Sequence, residues 1–238
     1  MLVKEWMSST VITIAPEASI GEAVELMEAH DISLLPVVRD EKLVGTVTNV
    51  DLKPFSPSSP ASGGNSFWGS LMISRVKVED IMSRAPVTMP LEFTVEEAAD
   101  VLFKNKVSGV AVVDAQNRIV GVMTQTDINR VLVSVTGLWK GGIVFGFLLE
   151  DTPGSIKALT DIMRAYGGRL ASILSAYERA PKGFRRVHIR VRGLDRAKVT
   201  SLEKDLREKA VLLYRIDQRE NTRQMYPNPE PTGSAARK

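Results

Sequence analysis

The sequence contains no cysteine among its 238 residues. Disulfides, thiolate metal sites and cysteine nucleophiles are therefore excluded. There are only two histidines, His30 and His188, too few and too far apart for a histidine metal site, so no metal ligands are assigned. No apolar run approaches the about 18 residues needed to cross a bilayer, so no membrane partner is expected. The opening Met1-Leu2-Val3-Lys4-Glu5-Trp6 has neither a basic n-region nor an apolar h-region. No secretory signal is read there, and the expected setting is cytoplasmic. The net charge is only +3, below what a global nucleic-acid footprint requires. There is no G-x-S-x-G, no P-loop lysine motif and no nucleophile–base pair. An enzyme is not expected, and no catalytic residue or catalytic cofactor is assigned.

What is present is a repeat. Val3–Ile14 (VKEWMSSTVITI) aligns with Val78–Met89 (VEDIMSRAPVTM), with Met7 on Met82, an offset of 75. Ser19–Met27 aligns with Thr94–Leu102, and Ile32–Val38 with Val107–Val113, at that same offset of 75. Then "GTVTNVD" (Gly45–Asp51) returns as "GVMTQTD" (Gly121–Asp127).

Each copy has local structure written into it. Ser19-x-x-Glu22 and Thr94-x-x-Glu97 are capping boxes that start helices. Ile20, Ala23, Val24 and Met27 share one helical face, as do Val95, Ala98, Ala99 and Leu102. Short β-branched runs follow, with turns at Asp40-Glu41 and Ala115-Gln116-Asn117. A second helix is expected from near Asn49 and near Gln125. The unit reads strand, helix, strand, strand, helix. Between the copies, Pro54–Ser70 is dense in proline, serine and glycine and reads as an exposed loop. Phe67 and Trp68 within it are candidates to pin it to a surface.

After Val135 the pattern changes. Gly141–Asp151 reads as a buried strand, and Thr152-Pro153 as an N-cap followed by a first-turn proline. Ile156, Leu159, Ile162 and Met163 make an apolar face that stops at Gly167-Gly168. Two strands, Leu170–Tyr177 and Arg185–Val191, flank a Pro181-Lys182-Gly183 turn. Asp195 caps a helix carrying Val199, Leu202 and Leu206, and Val211–Ile216 is the last strand expected. This βαββαβ order suggests a split-βαβ, ferredoxin-like domain. Beyond it the chain is polar and proline-bearing, and a disordered tail is expected.

The paired T-x-x-D segments admit two readings. One is a capping box, in which Asp51 or Asp127 reaches back to Thr48 or Thr124. The other is a nucleoside clamp. A helix N-terminus offers unpaired amides to a phosphate. A carboxylate has two acceptor oxygens for the two hydroxyls of a ribose. Glycine ahead of the turn would let a ligand approach the backbone.

The repeat, on "SIGEAVELMEAHDISLLPVV…KLVGTVTNVDL" and "TVEEAADVLFKNKVSGVAVV…RIVGVMTQTDI", resembles the CBS domain, and the pair looks like a Bateman module. The resemblance implies an adenosine-containing regulatory ligand: AMP, ADP, ATP or S-adenosylmethionine. It implies that Asp51 and Asp127 hold ribose, with Thr48 and Thr124 on ribose or phosphate. One adenine would lie against Thr10, Val11, Ile32, Ser33 and Leu34. The other would lie against Ala85, Pro86, Val107, Ser108 and Gly109. The second repeat carries Ala111 where the first has the family's usual Pro36, which is expected to loosen the start of that strand. The C-terminal part resembles the ACT domain through Asp151-Thr152-Pro153-Gly154, Gly167-Gly168 and Leu170–Ile173. That resemblance implies an effector site at Asp151, Pro153 and Gly154, although Arg169 stands where many amino-acid-binding members carry asparagine. The order CBS, CBS, ACT looks like that of acetoin-utilisation regulatory proteins.

The expected class is α+β. Residues 1–54 and 76–136 are the two CBS βαββα repeats, 55–75 the linker, 141–217 the ACT-like ferredoxin-like domain and 218–238 the tail. The function expected is a non-catalytic sensor, homodimeric by resemblance, acting on a regulated enzyme. The alternatives are a ligand-independent interaction module, or a nucleic-acid binder using the basic strand with Arg185, Arg186, Arg190 and Arg192.

Overall fold

The computed structural model describes residues 1–55 and 75–227. Phe67, Trp68 and the last part of the expected tail lie outside the described residues. The chain divides into two units, Met1–Val131 and Leu132–Lys238.

In the first unit the capping boxes form as the sequence predicts. The Ser19 amide donates to Glu22 Oε2 at 2.7 Å and the Glu22 amide donates to Ser19 Oγ at 3.2 Å, starting α1 (Ile20–His30). The same exchange between Thr94 and Glu97 starts α4 (Val95–Asn105). After α1 come β1 (Leu34–Arg39) and β2 (Lys42–Thr48), an antiparallel hairpin. Both turn residues, Asp40 and Glu41, have positive φ, 49° and 62°, as a two-residue hairpin turn whose twist matches its strands requires. α2 (Asn49–Leu52) closes the repeat. The second repeat runs α3 (Val78–Ile81), β3 (Thr88–Pro90), α4, β4 (Gly109–Val113), β5 (Ile119–Thr124) and α5 (Gln125–Val135).

Pro36 and Ala111 act in the opposite sense to the expectation. In the second repeat β3 pairs in parallel with β4, Thr88 opposite Ala111, and Ala111 is fully buried. In the first repeat the related contact is a single bridge, Ile14 to Val37. Proline has no amide to donate, so Pro36 stops that ladder from extending. Alanine has one, and the strand forms.

The lead-in segments are exchanged between the repeats. The Val3 amide donates to Phe93 O at 2.8 Å and the Val95 amide to Met1 O at 3.1 Å. Reciprocally, the Ile20 amide donates to Val76 O at 3.1 Å and the Val78 amide to Ala18 O at 2.9 Å. Val78 is fully buried in the core of the first repeat beside Ile20, Ala23, Met27 and Leu35. Full burial of a valine side chain contributes about 1.5–3 kcal/mol, so the exchange is part of what holds the two repeats together.

In the second unit, β6 (Ile143–Glu150) lies between β8 (Phe184–Arg192) and β9 (Val211–Asp217), with β7 (Arg169–Ala176) outside β8. All these pairings are antiparallel. α6 (Ser155–Ala165) and α7 (Val199–Arg207) send Leu159, Met163, Leu202 and Leu206 into a core with Phe145, Phe147, Val187 and Ile189. This is the βαββαβ order read from the sequence. Two details differ. The N-cap of α6 is Gly154, at φ 86°, so Thr152 and Pro153 belong to the turn before the helix. The tail expected to be disordered from 218 continues as β10 (Thr222–Met225), paired with β9. Tyr226 then packs on the core, its hydroxyl donating to Glu203 Oε2 at 2.8 Å. Its polar sequence hid the strand, because β10 is exposed along its length and needs no apolar alternation.

Candidate functional site

Both T-x-x-D segments form their caps. The Thr48 amide and hydroxyl donate to Asp51 Oδ2 at 2.8 and 2.7 Å. The Thr124 amide and hydroxyl donate to Asp127 Oδ2 at 2.9 and 2.7 Å. In each case the cap uses one carboxylate oxygen. The other oxygen of Asp127, a residue only 4% exposed, faces Arg130 Nη1 at 2.9 Å. The cap of Asp127 thus occupies Oδ2 and leaves Oδ1 to Arg130.

The helix amides are scarcer than the sequence suggests. The Asn49 amide donates to Ser33 O at 3.2 Å and the Gln125 amide to Ser108 O at 2.9 Å. The Asp127 amide donates to Thr124 Oγ1 at 3.3 Å. Of the first three amides of α5, only that of Thr126 has no partner among the described residues.

The two glycines that open the motif serve packing. A Cβ at Gly45 would stand 2.6 Å from Met82 Sδ and 2.8 Å from Ser83 O. A Cβ at Gly121 would run into Met7 Sδ. Each methionine comes from the other repeat. The expectation that these glycines admit a ligand is therefore corrected: they admit the partner repeat's methionine. Beside them, Thr46 and Ser83 exchange backbone hydrogen bonds at 3.1 and 2.9 Å, and Ser8 and Val122 do so at 3.0 Å each way.

This crossing assembles a cleft of about 470 Å³ in the first unit. Its walls carry Thr10, Val11, Ile32, Ser33 and Leu34 from the first repeat. Facing them are Thr124, Asp127 and Arg130 from the second. All five residues expected for one adenine wall are thus together, and the aspartate opposite them belongs to the other copy of the motif. The volume is within the about 300–1,000 Å³ of small-molecule sites. Reading the sequence alone missed Ser8, Ile12, Asp31, Asn49, Val122, Thr126 and Arg130, which also line the cleft. Thr126 and Arg130 carried a usable signal, since residues four apart share a helix face.

Gly109, expected on the second adenine wall, begins β4. It lies opposite Thr124 in the β4–β5 ladder, and a Cβ there would be 3.1 Å from Leu34 Cδ2 and 3.2 Å from Thr124 Cγ2. It gives Leu34 and Thr124 room to meet. Around Val107, the carbonyl accepts from Gln125 Nε2 at 3.2 Å.

In the second unit, Asp151, Pro153 and Gly154 line a shallow depression with Lys157 and Arg185. Arg185 Nε lies 3.4 Å from Asp151 Oδ1. Among the described residues, no group of three or more histidines or carboxylates is placed to hold a metal ion, and no helix is long and apolar enough to cross a membrane.

The CBS domain profile matches residues 3–55 and 78–134. A CBS domain-containing protein of Dictyostelium discoideum is 32% identical over 136 residues, covering 57% of this chain and 93% of that protein. Inosine-5'-monophosphate dehydrogenase of Methanocaldococcus jannaschii is 34% identical over 119 residues, 50% of this chain but only 21% of that enzyme. The CBS domain pair of protein MJ0100, crystallised with 5'-methylthioadenosine and S-adenosyl-L-methionine, is 32% identical, with a TM-score of 0.46, over 56% of this chain and 95% of that one. Both repeats carry the profile, and the Dictyostelium relative is covered almost end to end: the chain belongs to the CBS-domain-containing proteins.

Proposed function

We propose that the protein is a non-catalytic regulator that binds an adenosine-containing ligand in the cleft between its repeats. The observation that carries this reading is the placement of Asp127 across from the Ile32–Leu34 wall. The ribose diol would take Asp127 Oδ1 and displace Arg130, which then turns to a phosphate or other anionic group. The Thr126 amide, at the start of α5, supplies a second anion contact. The adenine lies against Thr10, Val11 and the Ile32-Ser33-Leu34 backbone. The repeat-related set, Thr48 and Asp51 with Ala85, Pro86, Val107, Ser108 and Gly109, forms the second site. The cleft draws on both repeats, so ligand binding biases their relative position by its differential affinity for the two arrangements.

The second unit we read as an ACT-like module, used for dimerisation or for a second small-molecule signal at Asp151, Pro153 and Gly154. A homodimer, a regulated enzyme as listener and a cytoplasmic setting complete the proposal. Three of the four arginines that suggested nucleic acid, Arg185, Arg186 and Arg190, have internal partners. Arg190, 7% exposed, donates to Thr136 O at 2.7 Å, and Arg186 Nε donates to Arg179 O at 3.0 Å.

A thermal-shift panel of AMP, ADP, ATP and S-adenosylmethionine tests the ligand class. The unfolding midpoint should rise with at least one of them and stay put with the matching free base. If none of the four moves it at millimolar concentration, the ligand class is wrong.

A further inference from the structure

The second unit has a cleft of about 190 Å³ at the end of the sheet where β6 begins. Five cationic side chains converge on it: Lys140, Arg169, Arg192, Arg196 and Arg219. They come from five places in the chain. Lys140 ends a 3-10 turn before β6. Arg169 is the first residue of β7 and Arg192 the last of β8. Arg196 begins the 3-10 turn before α7, and Arg219 lies between β9 and β10.

The charges are not balanced locally. Among the described residues, no carboxylate lies within 4.0 Å of a cationic nitrogen of Lys140, Arg169, Arg192 or Arg219. Arg196 alone has acids, Asp217 at 3.1 Å and Glu220 at 3.4 Å. Asp217 is 5% exposed, and its Oδ1 also accepts from the Arg219 amide at 2.9 Å. That carboxylate is shared between Arg196 and the turn that bears Arg219.

Arg169 and Arg192 are direct cross-strand partners. Like charges directly opposite one another destabilise a sheet. A solvated basic rim gives no reason to set two arginines in register and leave both without an acid. A bound anion does. Gly142 and Gly193 line the cleft at φ 102° and 75°, backbone that only glycine adopts readily. A Cβ at Gly142 would run into Val191 O, and one at Gly193 would stand 3.6 Å from Arg169 Nε.

We propose that this cleft is a binding site for a small phosphate-bearing anion. Planar guanidinium forks match phosphate oxygens in pairs, which lysine-only sites do not. The volume is below the about 300–1,000 Å³ of drug-sized pockets, so the ligand is compact, of the size of pyrophosphate or a short phosphorylated metabolite. The site is separate from the Asp151–Gly154 turn, which follows the opposite end of β6. It does not depend on the adenosine reading of the first unit.

Calorimetric titration of the full chain with sodium pyrophosphate, at ionic strength matched with sodium chloride, tests the site. Saturable binding is expected. The double variant Arg169→Gln/Arg192→Gln should bind at least about tenfold more weakly, as expected for losing charge-assisted hydrogen bonds. Arg219→Gln, on an exposed turn outside the main ladder, should weaken binding without altering the fold. In the absence of pyrophosphate, Arg192→Gln should unfold at the same or a higher urea concentration than the wild type, since a repulsive pair is relieved. The proposal is overturned if pyrophosphate does not bind, or if it binds the double variant equally well. It is also overturned if a single-stranded oligonucleotide occupies these arginines and pyrophosphate does not compete with it.

Discussion

Met82 of the second repeat lies over Gly45 of the first so closely that a Cβ on Gly45 would come within 2.6 Å of its sulfur. The reciprocal pair, Met7 over Gly121, repeats the contact. Gly45→Ala and Gly121→Ala should each cost about 1–3 kcal/mol by overpacking. Urea denaturation measures this. Met82→Ala in the Gly45→Ala background should recover part of the loss, a non-additive result that marks direct contact. Additive losses in that double variant would mean the two residues do not meet.

The clamp aspartates should separate capping from binding. Asp51→Ala and Asp127→Ala each remove a cap worth about 0.5–2 kcal/mol. Arg130→Gln leaves the Thr124 cap intact. It should weaken AMP by about tenfold, the worth of one charge-assisted hydrogen bond, while leaving adenosine affinity unchanged or raised, since the ribose no longer displaces an ion pair. Equal effects on both ligands would place Arg130 away from the phosphate.

His188 Nδ1 and the Tyr214 hydroxyl are 2.5 Å apart on the sheet of the second unit. Burial, and secondarily Arg186, holds the His188 pKa below its ordinary value. The unfolded chain takes up a proton near pH 6.5 and the folded one only at lower pH. Stability is therefore full above about pH 6.5 and declines as the pH falls toward the lowered folded value. Carboxylates held low by partners, such as Asp161 beside Lys157, act further down. Urea midpoints measured between about pH 7.5 and 5.5 should fall for the wild type and stay flatter for His188→Gln.

Tyr226 ties the C-terminal strand to the core. Its hydroxyl meets Glu203, 8% exposed, whose other oxygen lies 2.7 Å from Arg215 Nη1. Arg207 stacks over the Tyr226 ring at 4.0 Å. Tyr226→Phe keeps the stacking and removes the hydroxyl. It should cost about 1–3 kcal/mol, the penalty for a buried acceptor left short of a donor. No change in the urea midpoint would mean that solvent replaces the hydroxyl.

The features legible in the sequence were those fixed by neighbours in the chain. Ser19 with Glu22 and Thr94 with Glu97 set helix starts within one turn. The apolar faces of α1, α4, α6 and α7 followed from spacing. The 75-residue offset gave the repeat, and the T-x-x-D segments recur at 76. What escaped was tertiary. Nothing local tells that Val78 completes the first repeat's core, or that Met7 fills the space above Gly121. Nothing local pairs Asp127 with Ile32–Leu34. Gly154 looked like the residue after a capped proline, yet it is itself the cap, because the chain needs positive φ there.

The central claim is that Asp127 and the first repeat's wall make one ligand site. Calorimetry with the adenosine ligand giving the largest thermal shift, on the wild type and on Asp127→Ala, tests it most directly. The account predicts saturable binding to the wild type, with the Ile32–Leu34 site lost in the variant while the variant stays folded at the working temperature. Binding of unchanged affinity and stoichiometry to folded Asp127→Ala would contradict it, and would leave the T-x-x-D segments as helix caps alone.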